Sequence, residues 1–116
     1  MSVTLLDEAP LIYGVDNQKP EVDFEHMAFE WDAAKESANM TQHGVDFSTV
    51  PVAFDDPRRL ILPDASHSGS EARFYCIGSD GRGILTVRFT LRGDNIRAIG
   101  VGYWRKQQQV YEKTNH

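Results

Sequence analysis

The sequence predicts an α+β domain. An antiparallel β-sheet of about four strands, with a short additional N-terminal strand, is expected to carry two N-terminal helices on one face and to be followed by a C-terminal helix. Three features predict this class: a well-capped helical segment after residue 31, four runs rich in β-branched and aromatic residues between residues 59 and 102, and a tail of good helix formers. With 116 residues, of which 41% are hydrophobic, the chain has the size of one domain with one modest core.

The first half of the predicted domain carries the helix signals. A short strand candidate, FEW, precedes Asp32, which is a good N-cap for a helix over Ala33–His43. Gly44 follows this helix at the position of a left-handed C-cap. A second, shorter helix is expected near Ser48–Phe54, and the sequence DDP ends it.

The second half predicts a meander of strands and a final helix. The turn sequences SDGRG and RGDN separate the last three of four runs that are typical of strands. These runs are RLILP at 59–63, ARFYCIG at 72–78, ILTVRFTL at 84–91 and IRAIGVG at 96–102. The tail WRKQQQVYEK contains good helix formers and no breaker, and it therefore predicts a C-terminal helix.

One face of the sheet is predicted to carry arginine side chains. If the turn at 92–95 pairs residue 91 with residue 96, then residue 90 faces 97 and residue 88 faces 99. The set expected on this face is Arg73, Tyr75, Arg88 and Arg97. With the helices on the opposite, apolar face, such an open surface suits phosphate contact and base stacking. Solvated arginines that only protect an exposed sheet from association produce the same pattern.

Charge is divided unevenly along the chain. The net charge of −5 at pH 7 is made up of −5 in residues 1–26, −5 in residues 27–72 and +5 in residues 73–116. A basic C-terminal half indicates an anionic partner, although arginines that solvate the outer face of a sheet explain it equally well. We expect residues 1–28 to form an acidic N-terminal extension without a core of its own, and residues 29–116 to form the single domain.

Cysteine, histidine and hydropathy patterns exclude several classes of protein. The single cysteine, Cys76, cannot form an intramolecular disulfide or a multi-cysteine zinc site, so a cytoplasmic protein is expected. We expect no signal peptide and no membrane span, since no apolar run reaches the roughly 20 residues that a span requires. No metal or other cofactor is expected, because no pair among His26, His43 and His67 has ligand spacing.

Four blocks of the sequence carry a family resemblance. They are FEWDAAKESANMTQHGVDF, AFDDP, PDASHSGSEARFYCIG and GDNIRAI, in a match that runs from about Phe29 to Glu112. In their order and spacing they resemble the BrnT toxins of bacterial type II toxin–antitoxin systems. One departure lies at the end of the first helix, where Gln42 stands in place of the usual basic residue of KHG.

The resemblance implies both a fold and a function. It implies a RelE-like fold and a metal-independent endoribonuclease that cleaves RNA and inhibits translation. It also implies neutralisation by a BrnA-like antitoxin with a ribbon-helix-helix DNA-binding part. Because such a pair typically represses its own operon, specific DNA binding is expected only through the antitoxin complex, and no membrane association is expected.

The end of the last strand departs from the family pattern. BrnT-like sequences usually continue as IRIISARRATRRE, whereas this chain reads IRAIGVGYWRKQQ, with Gly102 and Tyr103 in place of two basic residues. Arg105 and Lys106 remain. The alternative to an active toxin is therefore a catalytically weakened BrnT-like binding module, which pairs with an antitoxin or with RNA without cleaving it.

Metal-free RNA cleavage needs three kinds of group. A base takes the proton of the 2′-hydroxyl, a cation stabilises the pentacoordinate phosphorus, and an acid protonates the 5′-oxygen. A histidine can serve as base or acid, and an arginine can present two N–H groups to a phosphate. The predicted catalytic residues are His67, Arg73, Tyr103 and Arg105. The predicted RNA-binding residues are Lys35, Arg88, Arg97 and Lys106.

Structural roles remain open for several of these residues. His67 lies beside two serines and could hydrogen-bond its own loop backbone, and Lys35 could pair with a neighbouring carboxylate on its helix. Tyr103 and Trp104 could dock the last helix rather than stack on a base. His43, at the end of its helix, suits the negative end of the helix dipole.

Overall fold

The computed structural model describes residues 27–116, and residues 1–26, which make up most of the expected acidic extension, lie outside the described residues. In chain order the elements are β1 (Ala28–Glu30), α1 (Ala33–His43), α2 (Val50–Asp55), β2 (Leu60–Pro63), β3 (Arg73–Ser79), β4 (Ile84–Arg92), β5 (Asn95–Gly102) and α3 (Arg105–Thr114). Single 3₁₀ turns, Phe47–Thr49 and Ala65–His67, precede α2 and β3. The type and order of the elements agree with the prediction.

The five strands form one mixed sheet rather than the expected antiparallel sheet. The strand order is β1-β5-β4-β3-β2, and the neighbours from β2 to β5 are antiparallel. Strand β1, however, runs parallel to β5, with Phe29 beside Ile96. A parallel pair needs a long connection rather than a hairpin, and here most of the domain separates the two strands. The three residues of β1 carry no signal for direction, which is why the expectation was wrong.

Helix α1 begins and ends where its capping residues predict. The Asp32 carboxylate accepts a hydrogen bond from the Ala34 N–H at 2.7 Å. Gly44 ends the helix at φ = 72°, and its N–H donates to the Met40 carbonyl at 2.9 Å. Both predicted caps are confirmed.

A buried asparagine fixes α1 to the edge of the sheet. Strand β1 pairs with β5 only as far as Arg97, so the second half of the β5 edge has no strand partner within residues 27–116. There the Asn39 Oδ1 accepts from the Val101 N–H (3.1 Å), and the Asn39 Nδ2 donates to the carbonyls of Val101 (3.0 Å) and Val45 (2.8 Å). The carboxamide thus satisfies both backbone groups of an edge residue, each of which costs about 1–3 kcal/mol when buried unpaired.

Helix α2 covers the face of the sheet onto which Phe74 and Phe89 project. This face is termed the first face, and the opposite one the second face. Phe54 of α2 packs on Phe89, with the two ring centroids 5.1 Å apart, and Phe89 also stacks with Phe74. The approach of α2 to β3 is closest at Gly78, where a Cβ atom would lie 2.3 Å from the Ala53 carbonyl oxygen. Only a residue without a side chain fits at that point.

Helix α3 lies on the second face, so the expectation that the helices leave one face bare is wrong. Tyr111 of α3 is buried with Leu60 and Ile77, and Val110 packs against the same cluster. The physical reason is that the second face is not purely polar. Ile77 and Ile84 alternate into it beside the arginines and give α3 an apolar surface to cover.

The predicted register is confirmed on the second face, with one correction. Residues Arg73, Tyr75, Arg88 and Arg97 share this face. Thr90 pairs with Arg97, as the turn predicts. Arg88, however, faces Gly100 rather than residue 99, because Ile99 is an extra residue that forms a β-bulge.

Asp56 ties the end of α2 to β3 and α3. Its Oδ2 accepts hydrogen bonds from the Ser79 N–H (2.7 Å) and the Tyr111 hydroxyl, and its Oδ1 accepts from the Arg58 N–H (2.9 Å). Burial acts to raise the pKa of the Asp56 carboxyl, but the hydrogen bonds outweigh it and lower the pKa below its ordinary value. Burial and the bond to Asp56 raise the pKa of Tyr111 to about 12.

Replacing Gly78 with alanine is expected to lower the free energy of unfolding by about 1–3 kcal/mol, because the new Cβ collides with backbone that cannot move without displacing α2. Thermal unfolding followed by circular dichroism measures the effect. Gly69→Ala is the matched control, since a Cβ at that exposed glycine meets no atom within 4 Å. Equal melting temperatures for the two variants would contradict the close packing of α2 on β3.

Replacing Asp56 with asparagine is expected to weaken the acid dependence of stability. The folded-state pKa of Asp56 is lowered, so the carboxylate stabilises the fold above its unfolded pKa of about 3.9 and loses this contribution as the pH falls through the folded value. The wild-type chain should therefore lose more stability than Asp56→Asn between about pH 5 and about pH 2.

Denaturant unfolding at a series of pH values tests this expectation. The exposed neighbour Asp55 provides the control variant, Asp55→Asn. Parallel losses of stability with pH in all three proteins would contradict the role given to Asp56.

Candidate nucleic-acid interface

A groove crosses the second face of the sheet, from α1 past the start of α3 to the loop after β2. It consists of a first pocket of about 210 Å³ beside α1, a middle pocket of about 240 Å³, and a third pocket of about 320 Å³ beside β2. Arg88 and Trp104 line both the first and the middle pockets. Tyr75 and Gln107 line both the middle and the third pockets, so the three form one continuous surface.

Three lysine and arginine side chains line this surface, which is termed the cationic groove: Lys35 in the first pocket, Arg88 in the first and middle pockets, and Lys106 in the third. Within residues 27–116, none of the three has an ion-pair partner. Among the described residues that line the three pockets, Asp64 carries the single carboxylate. The excess of positive charge makes the groove complementary to a polyanion.

The first pocket depends on the position of α1. Lys35, Asn39 and His43 follow one another at intervals of four residues, so they lie on one stripe of the helix, and the Asn39 hydrogen bonds turn that stripe toward β5. Gly100 has no side chain to separate α1 from Arg88, which lines the same pocket from the sheet. A histidine, a lysine and an arginine therefore meet in one pocket.

The other arginines of the second face lie among glutamates. The Arg97 Nη1 is 2.8 Å from the Glu30 Oε2, and the Arg92 Nε is 2.9 Å from the Glu71 Oε2. Hydrogen bonds from Arg97 and Arg92 lower the pKa values of Glu30 and Glu71 respectively, and the charge of Arg73 contributes to the second shift. These carboxylates offset much of the positive charge at this end of the face.

The four predicted RNA-binding residues separate into two groups. Lys35, Arg88 and Lys106 line the cationic groove. Arg97 shares a face of the sheet with Arg88, but its guanidinium is engaged by Glu30 and it lines none of the three pockets. The structure therefore brings together three of the four.

Three of the predicted catalytic residues lie at different places around the groove. Arg73 lies at the end of the second face that carries Glu30 and Glu71, and its buried Nε has no hydrogen-bond partner among the described residues. Arg105 is the exposed first residue of α3 and lines none of the three pockets. His67 ends the 3₁₀ turn that follows Asp64 of the third pocket, and the structure describes its backbone but not its side chain.

Tyr103, the fourth predicted catalytic residue, lies against the β3–β4 turn. Its hydroxyl donates a hydrogen bond to the Asp80 Oδ2, and its ring lies beside Gly83. Burial, this hydrogen bond and the Asp80 charge raise the pKa of Tyr103 to about 12. Tyr103 thereby ties the end of β5 to the turn, and it lines none of the three pockets.

Two further residues of the groove were not among the predicted site residues. His43 was assigned to the helix dipole, and Trp104 to helix docking, yet His43 lines the first pocket and Trp104 the first and middle pockets. The signal for His43 was its spacing of eight residues from Lys35, which places both on one side of a helix. For Trp104 it was the glycine two residues earlier, which leaves room beside the strand end.

The described residues form no metal centre and carry no reactive thiol. Within residues 27–116, no group of three or more His, Cys, Asp and Glu side chains is arranged to hold a metal ion. Cys76 is fully buried, and burial raises the pKa of its thiol, which is typical of a core residue. No helix in this part of the chain has both the length and the apolar character needed to cross a membrane.

Comparison with known proteins identifies the family. The model of the ribonuclease toxin BrnT of type II toxin–antitoxin systems matches residues 31–108, which include α1, all strands from β2 to β5, and the groove residues Arg88, Trp104 and Gln107. A comparison with curated protein sequences finds no match. Since the family match covers well over half of the 116 residues, the chain belongs to the BrnT family of ribonuclease toxins of type II toxin–antitoxin systems.

Proposed function

We propose that this protein is an endoribonuclease that binds single-stranded RNA in the cationic groove, cleaves it without a metal ion in the cytoplasm, and thereby inhibits translation. The observation that carries the proposal is that Lys35, Arg88 and Lys106 line one continuous groove without ion-pair partners among residues 27–116. Their spread over three pockets suits successive phosphates of one strand.

The first pocket is the proposed place of cleavage. The 2′-oxygen of a ribose attacks the adjacent phosphorus, the bond from phosphorus to the 5′-oxygen breaks, and the products are a 2′,3′-cyclic phosphate and a 5′-hydroxyl. His43 takes the 2′-hydroxyl proton, and the Lys35 ammonium gives a proton to the leaving 5′-oxygen. Arg88 stabilises the negative charge that develops on the phosphate oxygens. All three residues line this pocket, which supports the assignment.

The proposal differs from the sequence-based expectation in its proton-transfer residue. His67 or Tyr103 was expected to move the protons, and His67 stays a candidate because the turn that carries it adjoins the third pocket. His43 is preferred because it shares a pocket with Lys35 and Arg88, which have no ion-pair partner in the described part of the chain. The proposed cleavage step does not use Arg73, Tyr103 or Arg105, which line none of the three pockets.

The proposed partner is a BrnA-like antitoxin with a ribbon-helix-helix DNA-binding part. Membership of a type II toxin–antitoxin family implies a protein antitoxin that binds the toxin directly. We propose that its toxin-binding segment carries carboxylates and covers the cationic groove, since that arrangement would neutralise Lys35, Arg88 and Lys106 while it excludes RNA. Specific DNA binding would then belong to the complex and not to this chain.

When the protein is expressed without its antitoxin, it is expected to arrest bacterial growth and to cleave cellular transcripts. Arg88→Ala is expected to lower RNA cleavage by about 10- to 100-fold, because a charge-assisted contact to phosphate is lost. The measurements are growth after induction and cleavage of a defined RNA by purified protein. Arg92→Ala is the matched control, since Arg92 lies on the same face but pairs with Glu71.

Two outcomes of that experiment would contradict parts of the proposal. Unimpaired growth with intact transcripts, at good soluble expression, would remove the ribonuclease function. Arg88-dependent binding of RNA without any cleavage would instead favour the catalytically weakened binding module. That alternative is based on Gly102 and Tyr103, which stand in place of two basic residues of the family pattern.

Replacing His43 with alanine is expected to lower the rate of cleavage by about 100-fold or more, because a proton-transfer group acts in the transition state, while RNA affinity falls much less, through the lost contact of His43 with Trp104. Single-turnover cleavage rates and separate binding measurements for His43→Ala and His67→Ala distinguish the two histidines. A larger loss of rate in His67→Ala would move the proton-transfer step to the third pocket.

A further inference from the structure

The middle pocket of the cationic groove differs in composition from its neighbours. About 240 Å³ in volume, it is lined by Tyr75, Arg88, Trp104 and Gln107. Among residues 27–116, two aromatic rings, one guanidinium and one carboxamide line it, and none of these lining residues carries a carboxylate. Burial and the nearby Asp64 charge raise the pKa of Tyr75, with Arg88 acting in the opposite direction, so its hydroxyl stays protonated at neutral pH.

The indole of Trp104 is held in place from two directions. A Cβ atom on Gly102 would lie 2.6 Å from both the Cε2 and the Cζ2 of Trp104 and 2.9 Å from its Nε1, so the ring rests directly against the Gly102 backbone. The His43 ring meets the indole at an interplanar angle of 85°, with the centroids 5.4 Å apart. A ring fixed in this way loses little conformational freedom when a ligand stacks on it.

These contacts leave part of the indole as a wall of the first and middle pockets. A flat aromatic wall beside a guanidinium is the arrangement with which proteins hold a base and its phosphate together, and the Arg88 guanidinium has no ion-pair partner within the described residues. Gln107 adds one hydrogen-bond donor and one acceptor, which can pair with the edge of a base. An acidic peptide would use the cations but would leave the aromatic wall and the carboxamide without a matching group.

We propose that the middle pocket binds a single unstacked base of an RNA strand, with Trp104 as its stacking surface, Gln107 at its edge, and Arg88 on an adjacent phosphate. This inference rests on the proposed ribonuclease function and deepens it, because it names the place in the groove where the base is recognised. It also gives a role to Gly102, since any side chain at that position would displace the indole.

The test uses the full-length protein and short single-stranded 2′-O-methyl RNA, which lacks the attacking hydroxyl. In a series of oligonucleotides, one abasic residue is moved along the strand, and the Kd of each is measured by fluorescence anisotropy. For the wild-type protein, one abasic position is expected to weaken binding about tenfold, which is the size of a typical stacking contribution. For Trp104→Ala the parent strand is expected to bind about tenfold more weakly, and the abasic position to have no further effect.

Two variants sharpen this test. Trp104→Phe keeps an aromatic ring and is expected to restore most of the affinity for the parent strand, whereas Met40→Ala removes an exposed apolar side chain of α1 outside the groove and is expected to change nothing. Gln107→Ala is expected to reduce the differences in Kd among four strands that vary only in the base at the sensitive position.

The outcomes separate this inference from the proposed function. Arg88-dependent RNA binding with no sensitive abasic position, or with Trp104→Ala binding as tightly as the wild type, would overturn the base pocket and leave the ribonuclease proposal standing. Base-dependent binding through Trp104 in a protein that cleaves no RNA would support the pocket and overturn the cleavage proposal. Absence of any RNA binding by the wild-type protein would overturn both.

Discussion

The pairing of the Asn39 carboxamide with the backbone of Val101 is the contact on which the groove depends. A side chain here takes the place that a neighbouring strand would occupy at the β5 edge, and it fixes the position and rotation of α1. Because Lys35 and His43 lie four residues before and after Asn39, the same contact directs both of them toward Arg88. A polar contact that completes the sheet therefore also assembles the first pocket.

The second face of the sheet has regions that differ in polarity, because each region has different neighbours. Under α3 it is apolar, around Ile77 and Tyr111, and at the far end Arg92 and Arg97 are paired with Glu71 and Glu30. Arg88, which has no ion-pair partner among residues 27–116, lies between these regions. A chain with a net charge of −5 can thus present a surface that is complementary to a polyanion, since complementarity depends on the local potential and not on the total charge.

Signals that span a few residues predicted most of the elements, and contacts between distant segments explain what those signals missed. Asp32 and Gly44 bound α1 correctly because capping is local. The direction of β1 and the side on which α3 packs depend on partners far along the chain, and no local pattern encodes them. The same applies to the site: alternation placed Arg88 and Arg97 on one face, but only the pairing of β1 with β5 brings Glu30 to Arg97.

The bulge at Ile99 decides which residue stands opposite Arg88. In an unbroken ladder that residue would be Ile99, with its branched apolar side chain directly opposite Arg88, whereas the bulge places Gly100 there and leaves Ile99 as a neighbouring part of the first pocket lining. Access to the cationic groove is therefore set by the number of residues in β5 as well as by their identity. A deletion of one residue could close the site without removing a single charge, so gaps in this strand are as informative about activity among relatives as substitutions.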